Sequence, residues 1–189
     1  MKFLYPYALI LVGCLLSTEL HADAADTSRL DILLNHQVEQ VELQKQLNFE
    51  LALIKSKDDL FQALQDHSIS GLLSNGGLSV FTNSATFNEH GLSGFDYSPL
   101  EAELTPTQIY RFLSLFGKQH VAHKLDKARI ETDTDRLILK YGKPVTSLPE
   151  FSAMSPTVIR NPGSDHTNYR CVERATCYVA DNHICLSSC

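Results

Sequence analysis

YRCVERATCYVADNHICLSSC, Tyr169 to Cys189, holds four of the five cysteines of this 189-residue chain. The state of Cys171, Cys177, Cys185 and Cys189, reduced or joined, governs the reading of the whole chain. In a reducing compartment these thiols, with His183 among them, would suggest zinc. The C-x5-C and C-x7-C intervals do not match the short C-x2-4-C knuckles of structural zinc modules, however, and only Cys185 and Cys189 stand at such a spacing. Two disulfides are the better account in an exported chain. A turn at Glu173 to Ala175 would set Cys171 opposite Cys177, and one at Ala180 to Asn182 would set Cys177 opposite Cys185. The segment then reads as a small β-meander stapled to itself or to the body, with all three pairings open. A redox-active thiol is disfavoured, because no C-x-x-C occurs.

Export is read from the other end. Lys2 supplies a positive charge, Phe3 to Leu16 is apolar apart from Pro6, and Ala22-Asp23-Ala24 has the A-x-A form of a signal-peptidase site. The apolar run is too short for a spanning helix, which takes about 20 residues. Leu11-Val12-Gly13-Cys14 resembles a bacterial lipobox, but Leu15-Leu16 continues the apolar run where a small or polar residue is usual. Residues 1–24 are therefore read as a signal peptide cleaved after Ala24, with lipidation at Cys14 as the alternative. Either route leaves four cysteines to pair and no transmembrane span in the mature chain.

The full chain carries a net charge of -6, and without residues 1–24 it holds 15 basic against 20 acidic residues. Such a balance disfavours a nucleic-acid partner, which needs clustered Lys and Arg to displace counterions.

Residues 25–68 form a helical segment. Thr27 to Lys55 has no Gly or Pro and is rich in Leu, Gln and Glu. Leu30, Leu34, Val38 and Val41 make one apolar row, and Leu43, Leu47, Leu51 and Ile54 another. The two-residue step between the rows turns about 200°, so they face nearly opposite ways. Either the helix bends near Val41 to Leu43 and packs on its own domain, or one row meets a second protein or a second copy. The candidate partner-binding residues are Leu43, Leu47, Leu51 and Ile54. Ser56-Lys57-Asp58-Asp59 then has the form of a capping box, with Leu60, Phe61 and Leu64 as the buried face of the next helix.

Residues 69–189 read as an α+β domain. Leu78, Val80 and Thr82 alternate as a strand would, and Asn88-Glu89-His90-Gly91 is a turn from which Leu92 to Tyr97 returns. The glycine pairs fit neither a P-loop nor a dinucleotide fingerprint, and no G-x-S-x-G occurs. Thr105-Pro106-Thr107-Gln108 combines an N-cap, Pro at the first helical position and Gln at the third. Ile109, Phe112, Leu113 and Phe116 give that helix one apolar face, the expected centre of the core. Gly117 ends it. Glu131, Asp133 and Asp135 alternate but miss the EF-hand pattern, and are read as a turn before a strand at Arg136 to Tyr141. The proline-rich stretch 142–168 is read as an ordered connecting loop.

Candidates for chemistry are sparse. His120 and His123 stand one helical turn apart, as zinc ligands can, but no third ligand can be named from spacing, so no metal or cofactor is assigned. Asp165-His166 has no adjacent nucleophile. A secreted metal-dependent hydrolase would have to gather His90, His120, His123, Asp165 or His166 in one concave pocket. The function expected is thus that of a periplasmic or secreted non-catalytic protein, an inhibitor, effector or adaptor, acting through contacts with another protein or with itself. The alternative is a structural part of an envelope or secretion assembly.

Overall fold

The structure is a computed structural model and describes residues 20–141, 157–160 and 163–189. The apolar leader, Cys14 and the proline-rich stretch 142–156 lie outside the described residues. The chain divides into two compact units, Met1–Glu42 and Leu43–Cys189. Helix α1 (Leu20–Leu51) begins in the first and ends in the second.

The second unit is mixed α+β. Helices α2 (Lys57–Gln65) and α3 (Asn75–Ser84) precede a hairpin of β1 (Thr86–Asn88) and β2 (Gly91–Asp96). Then come α4 (Ser98–Glu103), α5 (Pro106–Ser114), a 3-10 turn (Gln119–Lys124) and α6 (Asp133–Tyr141). Strands β3 (Val158–Arg160), β4 (His166–Glu173) and β5 (Thr176–Cys185) complete an antiparallel sheet.

Local chemistry accounts for several helix starts. Ser56 accepts from the Asp59 amide while the Asp59 carboxylate accepts from the Ser56 amide, closing the box at α2. Thr105 and Gln108 do the same at α5, with Pro106 in the first turn. The predicted face of α5 is the centre of the core: Ile109, Leu113 and Phe116 are fully buried and Phe112 nearly so. Phe81 packs on this face with its ring centroid 4.8 Å from that of Phe112 and 5.4 Å from that of Phe116. Burying such side chains contributes about 1.5–3 kcal/mol each.

Two strand expectations are overturned. Residues 75–84 form helix α3, because Ser74 caps the Gly77 amide and Gly77, Leu78 and Phe81 share the buried side. The alternation of Leu78, Val80 and Thr82 is incidental, since Val80 is exposed. Residues 133–141 form helix α6, because Thr132 accepts from the Asp135 amide and Asp135 accepts from the Thr132 amide. That is the same S/T-x-x-D signal as at Ser56, hidden within the acidic run. In α2, Leu60 is buried and Leu64 packs partly on the core, while Phe61 is 58% exposed.

Strand β5 organises the sheet. Along one edge it pairs with β4; along the other its first residues pair with β3 and its last with β2. It cannot be straight. Eight residues of extended chain span about 26 Å, yet the Cα atoms of Cys177 and Cys185 are 6.0 Å apart. The register locates the reversal: Thr167 and Tyr169 of β4 face Ile184 and Val179, leaving Ala180 to His183 as an excursion opposite Asn168. Asn182 takes a left-handed φ of 59° there, and its carbonyl accepts from the Tyr97 amide. The reversal predicted at Ala180 to Asn182 therefore exists as an excursion within one strand. The turn at Arg174-Ala175 joins β4 to β5 and sets Cys171 opposite Cys177.

Candidate functional site

The bend in β5 brings the four C-terminal sulfur atoms together. Cys171 and Cys189 are joined, with Cα atoms 5.7 Å apart, as are Cys177 and Cys185. The sulfur atoms of Cys171, Cys185 and Cys189 all lie within 4.8 Å of one another. Among the described residues no other set of three His, Cys, Asp or Glu side chains is close enough to share a metal ion. Sulfur atoms bonded to each other are not thiolate ligands, so the cluster as it stands offers no zinc site. Cys177 and Cys185 are fully buried, Cys189 nearly so, and Cys171 is partly exposed.

A buried ionic cluster holds this tail to the body. Lys118, only 8% exposed, donates from Nζ to Ser188 Oγ at 3.1 Å and to the His90 carbonyl at 3.4 Å. Burial pulls its pKa down to about 8, with Asp165 acting in the opposite sense. Asp165 is itself buried; it accepts from the Ser187 amide at 2.8 Å, and its other oxygen lies 3.4 Å from His120 Nε2. Burial alone would raise its pKa, but His120 and the Ser187 amide outweigh that and hold the carboxyl well below the usual range.

The histidines do not converge as a hydrolase would need. His123 donates from Nδ1 to the His120 carbonyl at 2.7 Å, and burial lowers its pKa. The His90 ring is exposed and stands 3.8 Å from the Glu89 carboxylate. His166 packs edge-on to Tyr169 with its Nε2 3.3 Å from Ser164 Oγ. Of the five predicted groups, His120 and Asp165 meet, 3.4 Å apart under the C-terminal tail. Lys118 is not legible from the sequence, since nothing in GKQHVAHK distinguishes an exposed lysine from a buried one.

No protein-family model, curated protein or solved structure matches this chain.

Two surfaces stand out. The first lies on α1, which runs through Val41 to Leu43 as one helix. Leu43 is 56%, Leu47 47% and Leu51 79% exposed, while Ile54 is buried in the core. The helix meets the body by another side, through the buried Asn48 and the half-buried Phe49, with the buried Ala52 just past its end. Gly117 makes this approach possible: a Cβ there would lie 2.5 Å from the Asn48 carbonyl oxygen. The Leu53 and Ile54 amides then donate to the Leu115 carbonyl, at 3.0 and 2.9 Å. The second surface is a cleft of about 470 Å³ between the end of α3, β2 and the β4–β5 hairpin. Asn83, Thr86, Arg170, Cys171, Val172 and His183 line it.

Proposed function

We propose that this is an exported, non-catalytic protein that acts through protein–protein contacts, with Leu43, Leu47 and Leu51 as its contact face. The observation that carries the reading is the row itself: three leucines at four-residue spacing, each about half exposed or more, on a helix anchored by a different side. A row of large apolar groups left in water is a recurring feature of interaction surfaces. Export is supported by the leader pattern and by two disulfides, which persist in oxidising compartments. Among the described residues no helix is long and apolar enough to cross a membrane. Ile54 belongs to the anchor of the helix.

The test is site-specific photo-crosslinking from position 47 in the producing cell, followed by mass spectrometry of the adduct. A discrete adduct, with a second protein or with a second copy, is expected, and it should disappear in Leu43→Glu/Leu51→Glu. A chain that stays monomeric at all concentrations and yields no adduct from position 47 would sink the proposal.

A further inference from the structure

The cleft and the sulfur cluster meet at Cys171. Of the four C-terminal cysteines, Cys171 alone lines the cleft, while Cys177 and Cys185 are inaccessible and Cys189 is 6% exposed. The cleft is of a size that takes a small molecule. Arg170, the exposed residue before Cys171 in β4, and His183 also border the cleft, and a guanidinium on the neighbouring residue is suited to a carboxylate. Three sulfur atoms lie within 4.8 Å of one another, and Cys171 faces Cys177 directly across the β4–β5 ladder. Cross-strand Cα atoms are about 4.5–5.5 Å apart, within the span that a disulfide can bridge.

We infer that Cys171 is a thiol–disulfide exchange site for a small thiol bearing a carboxylate, through which the native bonds interconvert with the pairing Cys171–Cys177 and Cys185–Cys189. In the first step the incoming thiolate attacks Cys171 Sγ. A mixed disulfide forms at Cys171, the Cys171–Cys189 bond breaks, and its electron pair leaves on Cys189. The Cys189 thiolate attacks the neighbouring Cys185 sulfur; the Cys185–Cys189 bond forms and the Cys177–Cys185 bond breaks, leaving a thiolate on Cys177. That thiolate attacks the Cys171 sulfur of the mixed disulfide opposite it, forming Cys171–Cys177 and releasing the original thiol. Two protein disulfides are present before and after, so the thiol is regenerated and no net oxidant or reductant is needed. The C-x-x-C spacing that the sequence lacks is not required, because the fold supplies the proximity.

The oxidised mature protein, as recovered from the producing cell, is incubated with substoichiometric reduced glutathione, quenched with acid and digested without reduction after Arg170 and Arg174 and before Asp181. Native pairing keeps fragments 171–174, 175–180 and 181–189 in one disulfide-linked species, whereas the alternative releases 181–189 carrying an internal bond. Release of that fragment at constant total free thiol is expected. Its initial rate should be higher with glutathione than with cysteamine, which lacks a carboxylate. Arg170→Gln should lower the glutathione rate about two- to fivefold, the scale of one partly exposed charge contact, and leave the cysteamine rate unchanged. No release, or loss of the native bonds only by reduction to four thiols, would overturn the exchange. Equal rates with the two thiols, unaffected by Arg170→Gln, would overturn the assignment of the ligand.

Discussion

Lys118 and Asp135 are buried ions whose pKa values are displaced to opposite effect. For Lys118 burial lowers the folded value to about 8 from 10.5. Between these limits the unfolded chain binds more protons than the folded one, so this group makes stability rise with pH across that window. Between about pH 7.5 and about pH 9.5 the rise should be about 2 kcal/mol and be absent in Lys118→Met, as read by urea unfolding of the disulfide-intact protein. Asp135 is wholly buried. Burial would raise its pKa, but the Thr107 hydroxyl and amide and the Glu131 and Thr132 amides all donate to it and push it well below the usual range. Its stabilisation is therefore complete above about pH 4 and fades as pH falls through the lower folded value. Asp135→Ala should cost about 2–4 kcal/mol at neutral pH by leaving those donors unpaired, and should flatten the acid limb of the unfolding midpoint. The burial of neither residue is legible in the sequence. Their burial depends on residues far along the chain, Ser188 for Lys118 and Thr107 for Asp135.

At the scale of elements, α1 separates what packs from what is left in water. Changing Leu43 and Leu47 together to Gln should move unfolding free energy by less than about 0.5 kcal/mol, because neither side chain is in the core. Gly117→Ala should cost more than about 1 kcal/mol, since that residue has a φ of +68° and its new methyl would strike the Asn48 carbonyl. The opposite result in this pair, with the leucines costly and the glycine tolerated, would mean that α1 docks by its leucine row. The capped helices α2 and α5 are readable because a capping box is contained in four consecutive residues. Helix α3 reads as a strand because short apolar runs fit period two and period 3.6 alike, and only Phe81 meeting Phe95, Phe112 and Phe116 decides between them.

At the scale of the molecule, the disulfides and the aromatic core belong to separate buried clusters. The core of α5 includes Ile184 and Leu186 from the tail, but the cysteines form a separate cluster with Tyr169. Closing loops of 18 and 8 residues stabilises the chain by about 3 kcal/mol each in the chain-entropy model. Full reduction should therefore release β4 and β5 first. Hydrogen exchange after reduction and alkylation is expected to show fast amides at 166–185 while those of α5 stay protected; simultaneous loss of both would show that the tail nucleates the core.

The sequence by itself determined the α+β class, two capped helices, the α5 core face and the turns that let the cysteines approach one another. All of these rest on signals a few residues long. Only the tertiary structure decided the pairing of the sulfurs, the side on which α1 docks and the burial of Lys118, Asp135 and Asp165. Each of those depends on groups far apart in the chain being brought within a few ångströms, and spacing alone carries no such distance.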